Sequence, residues 1–173
     1  MPHRKWLIAL TLSCVAAAIP RPAHAQTAHA DIINAQGQKI GTAKLTQTKA
    51  GVRISLDVSQ LPPGTHGIHV HAVGKCDPPG FSTAGGHLNP DMKHHGKENP
   101  EGAHAGDMDN IEVGANGKVK TTFTNAHVTL GDAANSLFHP DGTALVIHEK
   151  ADDYKSDPAG NSGARIACGV IQK

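Results

Sequence analysis

Thirteen histidines occur in this 173-residue chain, and eleven of them lie after residue 25. Their spacing says more than their number. His69-Val70-His71 sits in an alternating stretch from Gly67 to Ala72. In extended backbone the two imidazoles share one face, roughly 6–7 Å apart, while Ile68 and Val70 point to the other. One metal ion can be gripped by both rings. A lone His-x-His pair also arises by chance on surface strands, so its meaning depends on its company. That company is Gly86-His87-Leu88-Asn89-Pro90, then His94-His95-Gly96, then His104-Ala105-Gly106-Asp107. Three imidazoles and one carboxylate form a ligand set for zinc, and four protein ligands leave no open position, which reads as a structural site. Further on, Val146-Ile147-His148-Glu149-Lys150 ends an apolar run with another histidine, and Gly160-Asn161-Ser162-Gly163-Ala164-Arg165-Ile166-Ala167-Cys168-Gly169 leads to the end of the chain.

These residues need elements to hold them, and the periodicity is that of strands. Val52, Ile54, Leu56 and Val58 alternate with Arg53, Ser55 and Asp57, the pattern of a strand with one buried face. Similar short stretches lie at 29–34, 40–48, 67–71, 111–114, 117–124, 126–130, 144–149 and 165–171. Turn signals such as Asn116-Gly117 and Asp141-Gly142 separate them. The expectation is an all-β fold. Aromatic residues make up 3% of the chain, so the core must be built from Val, Ile, Leu and Ala, and on pattern alone sandwich and barrel both stay open. From Ala72 to Asn110 the rhythm stops: glycine, proline, four histidines and Cys76 form a loop too long to order itself without an external reason. Bound metal is such a reason.

His3, Arg4 and Lys5 precede an apolar run from Trp6 to about Ile19, and Ala23-His24-Ala25 places small residues before a cut. This is a secretory signal over residues 1–25, too short to span a membrane, with a mature chain beginning at Gln26. Cys14 lies inside it, and the better cleavage site beyond argues against lipidation. The mature 148 residues form one domain with thirteen basic and fifteen acidic side chains, a balance that offers nothing to nucleic acid. Only Cys76 and Cys168 survive processing, and an exported protein with two cysteines most simply pairs them.

In this order and spacing the histidine, aspartate, arginine and cysteine blocks resemble the copper/zinc superoxide dismutase family, from about residue 28 to residue 171. The resemblance implies an eight-stranded antiparallel Greek-key β-barrel. It implies that one copper is held by His69, His71, His87 and His148, and one zinc by His87, His95, His104 and Asp107, with His87 bridging the two. His95 is taken over His94 for its eight-residue spacing from His87 and the glycine that follows. Asp152 matches a carboxylate that bonds the outer nitrogens of one copper and one zinc histidine, here His69 and His95. Arg165 matches an arginine that stands over the copper channel and attracts superoxide, a task for a permanent charge with directed donors. The implied activity converts superoxide to oxygen and hydrogen peroxide, with Arg165 and His87 as the catalytic side chains.

The insertion Asp77-Pro78-Pro79-Gly80-Phe81 and the run beginning at Asp152 resemble bacterial periplasmic members, which implies export to the periplasm. The charged loop before Arg165 is short, with Lys155 as a contributor to the field. The sequence leaves monomer and homodimer both open. His29, His66, His127 and His139 match no ligand position. Two competing readings, a copper or zinc storage protein and an adhesive β-sandwich, predict respectively lost ligands and no dependence on metal.

Overall fold

The computed structural model describes residues 25–173, so the expected signal over residues 1–25, apart from its last residue, lies outside the described residues, and Cys14 with it. Nine strands follow in chain order: β1 (Thr27–Asn34), β2 (Lys39–Thr48), β3 (Gly51–Val58), β4 (Gly64–His66), β5 (Ile68–His71), β6 (Ile111–Val113), β7 (Val119–Asn125), β8 (Ala144–His148) and β9 (Arg165–Val170). A single 3-10 turn, Ser82–Ala84, interrupts the long loop. All strand pairings are antiparallel. Seven strands form one sheet in the order β5-β8-β9-β1-β2-β3-β7, and β4 pairs with β6. Because β4 runs into β5 across Gly67 alone, the chain makes eight passes, as an eight-stranded barrel requires. The turn from Gly114 to Lys118 joins β6 to β7, so the small sheet links the two ends of the large one.

The core follows from alternation. Ala28, Ala30 and Ile32 of β1, Ile40, Ala43 and Leu45 of β2, and Val52, Ile54, Leu56 and Val58 of β3 are buried in one cluster with Ile68, Val70, Leu145 and Ile147. A second, smaller cluster joins Phe81, Ala84, Ala144, Val146 and Cys168. Among the described residues no helix is long and apolar enough to cross a membrane.

The stretch 126–130 is not a strand. Val128 and Leu130 are buried as its alternation implies, but no neighbouring strand supplies a ladder. Thr129 alone makes an isolated backbone bridge, to Ser136, and side chains meet the amides on either side: Gln47 Oε1 accepts from the Leu130 amide (2.7 Å) and Asn125 Oδ1 from the His127 amide (2.8 Å). Burial alone therefore does not make a strand; a partner for the amides is also needed.

Candidate metal centre

Strand β5 is buried on both faces, with Ile68 and Val70 in the main core and His69 and His71 on the opposite side. Its free edge is covered by the long loop. The Val70 amide donates to Gly106, the Leu88 amide to Val70, and the Ala72 amide to Gly86, which sets His71 beside His87 and His69 beside Asp107. The loop thus carries ligand-type side chains to the strand as an added layer of β-structure. On the other side β5 pairs with β8, whose last residue is His148. A bulge between Ile147 and His148 shifts the β8–β9 register so that His148 faces Arg165. Such a bulge re-aims a side chain without ending the sheet.

Two clusters result. The ligand-type atoms of His69, His71, His87 and His148 lie within 4.8 Å of one another, as do those of His87, His95, His104 and Asp107. His87 belongs to both. Its Nδ1 lies 2.8 Å from Asp107 Oδ1 and 3.3 Å from His104 Nδ1, whereas its buried Nε2 has no hydrogen-bond partner.

The hydrogen bonds decide which nitrogen carries a lone pair. His69 Nε2 donates to Asp152 Oδ2 (2.8 Å), so Nδ1 is the lone-pair atom, and it too is buried without a partner. His71 Nδ1 donates to the Gly85 carbonyl (2.9 Å) and His148 Nδ1 to the Gly163 carbonyl (3.3 Å). Their Nε2 atoms then meet lone pair to lone pair at 3.4 Å. Burial, reinforced by neighbouring His87, pushes His71 down to about 2, and burial leads the fall of His87 and His148 to about 4. Burial also lowers His69, against the bond to Asp152. Burial thus favours the neutral form of all four imidazoles, and buried nitrogens without hydrogen-bond partners are costly unless a ligand such as a cation takes their lone pairs.

The second cluster draws charge the other way. Burial opposes ionisation of Asp107, yet bonds from His104, His87 and His95 hold it well below the usual carboxylate range. Its Oδ1 lies 2.8, 3.0 and 3.3 Å from Nδ1 of His87, His95 and His104. Its Oδ2 accepts from the amides of Gly96 (2.9 Å) and His104 (3.0 Å). A tetrahedral zinc with ligands about 2.05 Å away has edges of about 3.3 Å, and the separations of His104 Nδ1 from Asp107 Oδ1 and from His87 Nδ1, both 3.3 Å, match it. Burial lowers His95, but the bonds to Asp107 and Asp152 outweigh it and raise the group to about 9. Positive charge is wanted between Asp107 and His95, and a metal ion supplies it as a proton does.

Asp152 connects the clusters. Its two oxygens accept from His69 Nε2 (2.8 Å) and His95 Nε2 (2.9 Å), which hold the carboxyl ionised against its burial. Asn110 clamps its backbone from both sides. The grouping of His69, His95 and Asp152 is thus a hydrogen-bonded bridge, with the outer nitrogens turned to the carboxylate and the inner ones to the clusters. Partners of this kind orient metal-binding imidazoles.

One cavity is lined by His71, His87, His148, Gly163 and Arg165. Arg165 donates to the carbonyls of Phe81 (2.8 Å) and Gly85 (2.7 Å). Cys76 and Cys168 form the expected disulfide, with Cα atoms 5.7 Å apart. His94 lies outside both clusters, exposed and bonded to Asp157. Of the four unmatched histidines, His66 is wholly buried, its ring nitrogens each 2.8 Å from a carbonyl oxygen, of His148 and of Pro62. Sequence reasoning missed Asn110, Gly85 and Phe81. A lone aromatic within a Pro-Gly loop of an aromatic-poor chain was the available signal for the last.

Residues 39–171 match the family described as copper/zinc superoxide dismutase. The chain is 57% identical over 146 residues to superoxide dismutase [Cu-Zn] 1 of Aquifex aeolicus, covering 83% of this chain and 86% of that protein. It is 40% identical to the superoxide dismutase-like protein YojM of Bacillus subtilis, covering 83% and 74%. Among solved structures, a dismutase-like protein from Bacillus subtilis superposes with a TM-score of 0.80 at 41% identity, covering 82% of this chain and 96% of that one. The copper/zinc superoxide dismutase of Brucella abortus gives 0.70 at 30% identity, covering 85% and 100%. A β-barrel with two histidine clusters is a protein built for a pair of metal ions. This chain belongs to the copper/zinc superoxide dismutase family.

The donor sets fit the family's two metals. Imidazole nitrogens suit copper, and His69 and His87, each with a buried ring nitrogen that has no partner, both belong to the four-histidine cluster. Three imidazoles and a carboxylate suit zinc.

Proposed function

We propose that the protein dismutates superoxide at a copper held by His69, His71, His87 and His148, beside a zinc held by His87, His95, His104 and Asp107. The observation that supports this reading is that His87 belongs to both clusters, with Nδ1 bonded to Asp107 and a buried Nε2 that has no hydrogen-bond partner. Copper, when bound, supplies the one-electron chemistry by which one superoxide becomes oxygen and a second, with two protons, becomes hydrogen peroxide.

The side chains do the rest. Arg165, in the wall of the cavity beside His148, draws the anion in and holds it with directed N–H groups. His87 Nε2 is the atom at which a proton is held and passed to the departing peroxide. Asp152 keeps His69 and His95 in the tautomers that aim their lone pairs inward. Asp107 balances the charge of the zinc. Residues 1–25 act as a secretory signal, residues 26–173 form the mature domain, and the periplasm is where the enzyme works; the Cys76–Cys168 disulfide suits an oxidising compartment.

The test is superoxide decay with mature protein carrying copper and zinc, against its metal-free form and Arg165→Ala, at low and moderate salt. Copper-dependent decay that slows with salt and falls about tenfold or more in the variant is the expected result. Tight copper binding without decay would make the protein a metal carrier. The mass of the protein recovered from the periplasm checks the cut after Ala25.

A further inference from the structure

Phe81 has three properties that seldom coincide. Its ring is wholly buried, among the largest side chains so enclosed. Its backbone is left-handed, with φ +53, a conformation that bulky L residues rarely adopt. Its carbonyl accepts twice, from the Ala84 amide (3.1 Å) and from Arg165 Nη1 (2.8 Å).

These properties explain one another. The 3-10 turn Ser82–Ala84 begins after Phe81 and ends at Gly85. The guanidinium fork of Arg165 spans that turn, one arm on the Phe81 carbonyl and the other on the Gly85 carbonyl. Gly85 also accepts from His71 Nδ1, so the same short turn holds the arginine and one imidazole of the four-histidine cluster. A left-handed residue at the head of the turn aims the Phe81 carbonyl, and backbone in this region persists only where its surroundings over-determine it. Here the surroundings are the pocket for the ring, formed with Ala84, Ala144, Val146 and Cys168 and flanked by Ile33 and Cys76. The disulfide anchors the loop five residues earlier, with Pro78, Pro79 and Gly80 between.

We infer that Phe81 is a positioning residue for Arg165: its buried ring locks the left-handed carbonyl on which the guanidinium rests. The inference builds on the proposed role of Arg165 in drawing superoxide to copper. Loss of the ring lets the turn relax, and the arginine then spends less time over the cavity although no metal ligand has changed.

A double-mutant cycle tests this on the copper- and zinc-loaded protein. Arg165→Ala, Phe81→Val and the pair are compared for kcat/KM with superoxide, its salt dependence, and the affinity of azide read from the visible absorption of copper. Copper content by mass analysis serves as the control. Phe81→Val is expected to lower kcat/KM and azide affinity about fivefold and to flatten the salt dependence, with copper content unchanged. In the Arg165→Ala background the same change should cost less than about 1.5-fold, because a residue acting only through the arginine has nothing left to act on. Phe81→Leu, which refills most of the pocket, should stay within about twofold of the parent. Equal losses in both backgrounds would overturn the inference, as would a Phe81→Val protein as fast as the parent while Arg165→Ala is slow. An Arg165→Ala protein with parental kinetics would overturn the reading of the arginine itself. Should Phe81→Val fail to fold, the cycle is run with Phe81→Gly, which removes the ring without straining the left-handed backbone, and a coupling below about 1.5-fold refutes the inference.

Discussion

Replacing Gly160 by alanine probes the bridge between the clusters without replacing a ligand. Gly160 has φ +62, and a Cβ built there would stand 1.8 Å from Asp152 Oδ1, 2.6 Å from its Cγ and 2.8 Å from His95 Nε2. Non-bonded carbon contacts settle near about 3.5 Å, so the carboxylate or the loop must retreat by more than about 1 Å. The 2.9 Å bond from His95 Nε2 does not survive such a shift. Loss of one charged hydrogen bond costs about 1.5–3 kcal/mol, and an L side chain in the left-handed region adds about 1–2 kcal/mol. The expected total is about 2.5–5 kcal/mol, with a fall in zinc affinity of about 10–100-fold. Urea unfolding of the metal-free protein measures the first quantity, and competition with a zinc chelator the second. Gly163→Ala is the control: its φ is +78, but the nearest groups to its Cβ would be the Glu149 carboxylate end at 3.1 Å and the Lys150 side chain at 3.4 Å. Those flexible groups can move aside, leaving the backbone cost alone. Equal behaviour of the two variants, or a Gly160→Ala protein within about 1 kcal/mol of the parent with unchanged zinc affinity, would refute the reasoning.

Two further outcomes are expected. Removing the disulfide by Cys76→Ser with Cys168→Ser frees a link across 92 residues, worth about 4–5 kcal/mol by chain entropy; thermal unfolding should show a midpoint lowered by about 10–15 °C, and a drop below about 3 °C would contradict it. The metal-free protein should lose stability as pH falls from 6.5 towards 4, because burial keeps folded His71, His87 and His148 neutral while the unfolded chain takes up protons. His95, raised to about 9 by Asp107 and Asp152 despite burial, contributes stability that is lost as pH rises from 6.5 through 9. Denaturant midpoints across this range should therefore peak near pH 6.5, and a flat profile would refute the assignment.

Much of the site was legible before the fold was known. Two imidazoles two residues apart in an alternating stretch must share a face, so His69 and His71 converge whatever the topology. The strand rhythm of residues 52–58 survives intact as β3, because period two against a single buried face permits only one register. Residues 126–130 carry the same alternation and bury Val128 and Leu130, yet form no strand, because pairing depends on what lies alongside. His66 shows the converse: nothing in its residue pattern marks it for burial, and its ring is held between the Pro62 carbonyl and the His148 carbonyl at the end of β8.

By itself the sequence determined the residue types, their order and their spacing, and with them the metals they suit, the pairing of two cysteines and the all-β character. These are properties of short segments and of chemistry that needs no neighbour. Tertiary structure alone decided which nitrogen of each imidazole faces inward, since that depends on carbonyls and carboxylates far along the chain, such as Gly85, Gly163 and Asp152. It also decided that a β-bulge sets Arg165 opposite His148 and that Phe81 stands beneath the arginine. Register and loop packing arise from contacts between distant segments, and no local pattern encodes a contact whose partner lies 84 residues away.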